Sequence, residues 1–359
     1  MALGELWKQF EADARLSYRL YSQEVGSERK SGTGRVKHFL RQVRLFFWAI
    51  VDKLTPARRI LLLAALIMMA INLDIRWEPS GNHPGTGFYF GPLSFSGWGE
   101  LLVLTVLVLE VTDRVVMKRD LQIAKEIQSW LLPASPPAVP GLEIAFQTRP
   151  ANTVAGDYYD VFQRPGAGGT YLIAIADVAG KSVPAAMLMA TYQASLKTLA
   201  ARAETLTDLA ASMNNYACGN SQNGRRFTTT FIGEYAAESR QLKYVNAGHN
   251  PPMLMRQNGS IERLSEGGIP LGILQDAQYA SGTTTIASGD WLAIFTDGAT
   301  EAENTAEEEY SEGRLVRALY ANATAVPQAA LSAIMMDINR FVGAAPQHDD
   351  ITLMLIKAS

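Results

Sequence analysis

Four aspartates in the C-terminal part of this 359-residue chain stand at the ends of apolar, strand-like runs. They are Asp157 in Gly156-Asp-Tyr-Tyr-Asp160, Asp177 in Ile175-Ala-Asp-Val-Ala-Gly-Lys181, Asp297 in Phe295-Thr-Asp-Gly-Ala-Thr-Glu301 and Asp349 in His348-Asp-Asp-Ile-Thr352. Carboxylates held at strand ends, beside Gly or a second acid, are what a pair of hard divalent cations requires. An oxygen-only donor set, without Cys or clustered His, selects Mn2+ or Mg2+ over Zn2+. Two such ions per active site, bridged by a carboxylate, polarise a water to hydroxide and clamp a phosphoryl oxygen. No nucleophilic side chain is then needed, which fits the absence of a Gly-x-Ser-x-Gly elbow. Taken singly each motif is weak: Thr-Asp-Gly is a common turn, and an acid pair before a strand usually faces solvent. Four together, each at a strand edge, point to a two-metal phosphate hydrolase.

The elements that must position these acids follow from periodicity. Strands are expected at Leu142–Thr148, Tyr158–Gln163, Tyr171–Asp177, Phe227–Tyr235, Gln241–Asn246, Pro252–Arg256, Trp291–Thr296 and Ile351–Ile356, and helices at Pro184–Ala201, Leu206–Cys218, Glu312–Tyr320 and Pro327–Phe341. Ser182 is placed to cap the first of these helices and Pro184 to open its first turn. Short turns near Glu238 and at Gly248-His-Asn-Pro251 have hairpin spacing, which implies antiparallel pairing. Several hairpins with helices in two blocks suggest a layered α+β fold, not a doubly wound sheet.

Upstream, residues 1–34 form a polar segment and 35–59 a basic amphipathic helix with seven Lys/Arg against one acid, Asp52. Residues 60–111 hold two apolar runs, Ile60–Leu73 and Pro92–Val111, read as a two-helix membrane hairpin in preference to a soluble or interfacial one. The basic flank, Trp77, Trp98 and an uncharged linker favour crossing, whereas Glu100 inside the second run opposes it. Two crossings would return the catalytic region to the cytoplasmic side of a cell inner membrane. Residues 112–132 read as a helix ended by Pro133: either a solvated helix with one buried face, or a signalling helix that pairs with its twin. The catalytic domain is set at 133–359.

A net charge of −3 excludes a generally nucleic-acid-binding protein. The single cysteine, Cys218, rules out an internal disulfide and has no His nearby in sequence to activate it. His249 could serve as a general acid, although its Gly-His-Asn-Pro setting favours a structural turn, and His348 reads the same way.

Residues 121–357 resemble the SpoIIE-type (RsbU-like) branch of the metal-dependent Ser/Thr protein phosphatases (PPM, type 2C). The stretches that carry the resemblance are Ala124-Lys-Glu-Ile-Gln-Ser-Trp-Leu-Leu-Pro133, the four acidic motifs, Phe227-Thr-Thr-Thr-Phe231, Asn246-Ala-Gly-His-Asn-Pro-Pro252 and Gly268-Ile-Pro-Leu-Gly272. The resemblance implies a four-layer αββα sandwich of two antiparallel sheets. It implies that Asp177 bridges two metals, that the Val178 carbonyl completes one of them, and that Asp297 and Asp349 bind the other. Asp157 would bind on the Val178 side, directly or through water. Asp177 and Asp297 would thereby activate the attacking water. For the phosphate, Arg149 is a candidate and Lys181 an alternative helper. Asp160, His249 and Asp350 are candidates for supporting contacts. The implied substrate is a phosphorylated anti-sigma-factor antagonist. A phosphatase-fold partner-switching scaffold with low turnover is the alternative. A different two-metal phosphodiesterase is disfavoured, because such sites recruit His and only four His occur.

Overall fold

The structure is a computed structural model describing residues 51, 54–75, 95–220 and 226–359. The expected polar segment 1–34, most of the basic helix 35–59 and the linker with Trp77 lie outside the described residues. The chain divides into two compact units, Met1–Val116 and Met117–Ser359.

In the first unit, helix α1 (Pro56–Ile75) and the first part of helix α2 (Phe95–Leu131) occupy the two apolar runs. Arg58 of α1 donates to Glu110 at 3.1 Å and to Asp113 at 2.5 Å, while Ala65 and Val106 are buried. The expectation of two membrane crossings is not met: among the described residues no helix is long and apolar enough to cross a membrane. The physical reason is interruption by charge. Arg58 and Arg59 stand in the first turn of α1, and Glu100 and Glu110 leave only Leu101–Leu109 uncharged between them in α2. Helix α2 also merges the second apolar run with the expected 112–132 helix. Thr112 could have started a new helix, but its hydroxyl bonds back to the Val108 carbonyl at 2.8 Å and the turn continues.

The second unit has four layers. One sheet has strand order β1-β11-β10-β6-β7, with β1 Leu142–Arg149, β6 Met253–Met255, β7 Ile261–Arg263, β10 Trp291–Phe295 and β11 Ile351–Ala358. The other has order β2-β3-β4-β5-β8, with β2 Tyr158–Gln163, β3 Thr170–Val178, β4 Thr228–Ala236, β5 Gln241–Ala247 and β8 Gly267–Gly268; β9 (Gly282–Thr285) also pairs with β5. All pairings are antiparallel except the two-residue β5–β8 contact. Helices α3 (Ser182–Ala200) and α4 (Leu206–Asn220) cover the second sheet. After the one-turn α5 (Asp297–Thr300), helices α6 (Ser311–Ala321) and α7 (Pro327–Val342) cover the first. Between the sheets, Val161, Ile173, Ile175 and Phe231 meet Leu292, Ile294, Met354 and Ile356. Because both faces of each sheet are covered, central strands such as β3 are buried almost continuously and do not alternate.

Two local expectations need correction. Ser182 does not cap α3; it is the first helical residue, with φ +62°, and Lys181 takes the cap position without a side-chain bond. The Gly248–Pro251 turn does not close a hairpin either, since β5 and β6 belong to different sheets. The turn is the point where the chain crosses from one sheet to the other. Asn246 holds it: its amide oxygen accepts the His249 N–H at 2.7 Å, and its nitrogen donates to the Leu264 carbonyl at 3.2 Å. Both bonds are buried, and a buried polar group stripped of its partner costs about 1–3 kcal/mol. Asn246→Ala is therefore expected to lower the unfolding free energy by about 2 kcal/mol or more, read by chemical denaturation; an unchanged midpoint would contradict this role.

Candidate metal centre

Antiparallel pairing brings the start of one strand beside the end of the next. Asp157 precedes β2 and Asp177 lies at the end of β3, in the register that pairs Tyr158 with Ala176. Asp297 follows β10 and Asp349 precedes β11, in the register that pairs Phe295 with Leu353. The four acids thus come two from each sheet, at one edge of the sandwich.

The sheets are tied together at that edge. Asp157 is buried, and its Oδ2 accepts hydrogen bonds from the hydroxyls of Thr296 at 2.9 Å and Thr352 at 2.5 Å. Asp350 accepts the Ala151 N–H at 2.7 Å and the Gly156 N–H at 2.6 Å. It therefore acts as a clamp on the loop before β2, while its neighbour Asp349 stands at the mouth. Gly298 is sterically required, and Gly156 has little room for a side chain. A Cβ on Gly298 would lie 2.1 Å from the Asp350 carbonyl oxygen, and one on Gly156 would lie 3.2 Å from the Val178 carbonyl oxygen. The Gly-Asp and Asp-Gly pairs of the motifs record these close approaches.

The electrostatics are those of crowded like charge. Burial pushes the Asp177 carboxyl up to about 7, aided by Asp297, Asp349 and Asp350 and opposed by Lys181. Asp157 is raised well above its usual range by burial and then by Asp177, against the two threonine hydroxyls. Asp297 is raised by burial and by Asp349. As placed, no group of three or more His, Cys, Asp or Glu side chains among the described residues stands close enough to hold a metal ion. The carboxylates nevertheless lie near enough for their charges to act on one another: Asp157 with Asp177, Asp177 with Asp297 and Asp349, and Asp297 with Asp349. Raised pKa values at Asp157, Asp177 and Asp297 mean that these carboxyls resist ionisation, and an all-oxygen set of this kind is matched by a divalent cation, which favours the charged form. Asp157, Asp177, Asp297, Asp349 and the Val178 carbonyl are the groups that could hold it.

The remaining candidates divide. Lys181 donates to the His348 carbonyl at 2.6 Å and lies 3.5 Å from Asp349. Arg149, with a buried Nε that has no hydrogen-bond partner, lines the same pocket as Lys181, Gly298, Glu301 and Asp349. Asp160 is not part of the cluster: it pairs with Lys197 of α3 at 2.6 Å and accepts from the Tyr158 hydroxyl. His249 is buried, with Nδ1 3.1 Å from the Thr229 hydroxyl, and burial lowers its pKa to about 4. A neutral, enclosed imidazole lacks the acidic imidazolium proton that a general acid needs near pH 7, which favours the structural turn. Sequence reasoning missed the Thr296 and Thr352 hydroxyls and Glu301, whose pKa is raised by burial and then by Asp297. All three sit inside the quoted motifs.

Residues 167–359 match the model of the family Stage II sporulation protein E (SpoIIE). The chain belongs to the SpoIIE family. Among its relatives, Protein IcfG of Synechocystis is 29% identical over 283 residues, 71% of this chain and 44% of that protein. Phosphoserine phosphatase RsbU of Bacillus subtilis is 30% identical over 186 residues, 52% of this chain and 54% of that protein. The chain thus spans about half the length of the curated relatives it matches. Among solved structures, the SiaA-PP2C domain of Pseudomonas aeruginosa superposes with TM-score 0.60 at 18% identity, covering 69% of this chain and 99% of that one. The PP2C phosphatase domain of SpoIIE from Bacillus subtilis, with a fragment of its regulatory domain, gives 0.53 at 16% identity, covering 62% and 64%. These likenesses establish an α+β fold of the PP2C type.

The raised carboxyl pKa values carry a pH signature. A folded-state pKa above the unfolded value means that the native state binds the proton more tightly. That contribution is fully present below about pH 4 and is lost as pH rises towards about 7, the value reached by Asp177. Without added metal, stability should therefore fall across this window, and Asp177→Asn should flatten the slope. Denaturation midpoints measured from pH 4 to 7 check both; parallel curves for the two proteins would contradict the assignment.

Proposed function

We propose that this SpoIIE-family chain is a PPM-type protein-serine/threonine phosphatase, a metal-dependent hydrolase that uses two Mn2+ or Mg2+ ions to cleave phosphoserine or phosphothreonine on a regulatory protein. The observation that carries the reading is the gathering of Asp157, Asp177, Asp297 and Asp349 at one edge of a PP2C-type sandwich. When bound, the cations would supply an activated water and neutralise charge on the phosphoryl oxygens. The chain's own residues do the rest. In this reading Asp177 and the Val178 carbonyl would hold one side of the cation pair, with Asp297 and Asp349 on the other. Arg149 and Lys181 place positive charge on the pocket wall, where a phosphoryl group of the substrate would be oriented. The rigid strand ends keep these groups in place without rearrangement.

The partner is a phosphorylated anti-sigma-factor antagonist or similar regulatory phosphoprotein. Support comes from the family and from the relative named phosphoserine phosphatase RsbU. Attachment to a membrane, with the catalytic unit on the cytoplasmic side of an inner membrane, is supported by the exposed apolar side chains of α1 and α2. Ile60, Leu63, Leu104 and Leu107 are each more than half exposed, and surfaces of that kind mark membrane or protein contacts. Pairing of two copies through the later turns of α2 is supported by the exposed Ile123, Ile127 and Trp130.

The direct test is phosphate release from a phosphoserine peptide by the full chain, with and without Mn2+. Turnover is expected only with the metal, with a loss of about 10^3-fold or more in Asp177→Asn, the scale on which a single electrostatic catalytic group is felt. Arg149→Ala is expected to raise KM more than it lowers kcat. Metal-independent turnover, or full activity in Asp177→Asn, would overturn the mechanism. Failure of the full chain to float with anionic lipid vesicles would remove the membrane reading alone.

A further inference from the structure

The loop from Pro150 to Asp157 has no regular secondary structure, yet Val154, Ala155, Gly156 and Asp157 are all buried. Buried backbone amides need partners, and here side chains supply them. Asp350 takes the N–H groups of Ala151 and Gly156. The remaining tether comes from helix α2. The Gln128 amide nitrogen donates to the Ala155 carbonyl at 2.7 Å, and its oxygen accepts the Ala155 N–H at 3.0 Å. This two-bond clasp reproduces a strand-like pairing between a side chain and one backbone unit, two residues before Asp157.

The setting of Gln128 is unusual for an amide. It is 7% exposed, whereas its apolar neighbours Ile127 and Trp130 are 48% and 79% exposed. A helix that buries a glutamine and leaves a tryptophan in solvent has not been oriented by hydrophobic burial alone. The clasp selects which face of these turns meets the catalytic unit. Resting on the metal-centre reading above, we infer that Gln128 is a positioning residue for that centre: by clasping Ala155 it fixes the loop that presents Asp157 and keeps Gly156 against the Val178 carbonyl. Asp157 and Val178 both belong to the β2–β3 side of the cluster, so loosening the clasp acts first on that half of the cation site.

The test uses the full chain and two variants. Gln128→Leu keeps the side-chain volume and removes both hydrogen bonds. Leu132→Ala removes packing where the end of α2 meets the catalytic unit's cores without touching the clasp. Mn2+ binding is followed by calorimetry, and exchange of the Ala155 amide by hydrogen–deuterium exchange in metal-free protein. In Gln128→Leu the Ala155 amide is expected to lose protection and the Mn2+ affinity to fall about tenfold, the lower end of what supporting contacts around metal ligands contribute. Leu132→Ala is expected to lower the melting temperature while leaving Mn2+ affinity within about twofold, since it removes none of those contacts. Wild-type affinity in Gln128→Leu, or an equal loss in both variants, overturns the inference. A wild-type chain that takes up no Mn2+ overturns the metal reading as well, and is told apart because the Ala155 exchange readout needs no metal.

Discussion

The structure depends on forcing like charges together. Asp157, Asp177, Asp297 and Asp349 approach one edge of the sandwich closely enough that burial and mutual repulsion raise the carboxyl pKa of Asp157, Asp177 and Asp297. No local preference of the chain would gather them. What overrides the repulsion is the inter-sheet core, where side chains such as Ile173, Ile175, Phe231, Leu292, Ile294 and Met354 are fully buried. Each buried aliphatic or aromatic side chain contributes about 1.5–3 kcal/mol, so a modest part of this core outweighs the electrostatic cost. The acids sit where backbone position is fixed by pairing and side-chain freedom is small.

At the strand ends, neighbouring residues then take different tasks. Asp349 stands at the mouth beside Lys181, while Asp350, one residue on, turns away to hold the Ala151 and Gly156 amides. Thr296 and Asp297 divide in the same way: the hydroxyl braces Asp157 across the sheets, and the next carboxylate joins the cluster. These two motifs therefore each contain one residue for the site and one that fixes the segment around Asp157. The four motifs are mutually dependent, although long stretches of sequence separate them.

Much of this was legible in the sequence because the elements are long and their ends are marked by acids and glycines. Strand β2 falls on the expected residues, and β3, α3, α6 and α7 lie within a residue or two of expectation. The strands β7, β8 and β9 escaped because each has four residues or fewer and lacks a period to read. The crossover at Gly248–Pro251 was mistaken for a hairpin because turn chemistry gives the reversal and not the sheet that the chain enters next. Asp160 resembled Asp157 in composition, but its partner, Lys197, lies on a helix that local sequence does not connect to it. The Gln128 clasp was hidden for the same reason, as its partner is a backbone unit 27 positions away. Hydrophobicity averaged over each apolar run suggested two crossings, whereas among the described residues charges leave no helix long and apolar enough to cross a membrane.

The same energetics bear on whether the sandwich acts as an enzyme or only as a binding scaffold. A surface that merely docks a partner gains nothing from half-buried carboxylates that raise one another's pKa. Neutral Asn or Ser at those strand ends would make the fold more stable and leave its outer faces unchanged. The cluster is costly only while it is uncompensated. A divalent cation reverses the sign of its main term, turning repulsion among the acids into attraction to a shared charge. On the proposed reading, a chain that places four such acids at strand ends, braces one with two buried hydroxyls and reserves glycine at the closest approach would gain from loading that site with cations. That construction is what hydrolysis of a phosphate ester demands, and it is more than recognition alone requires.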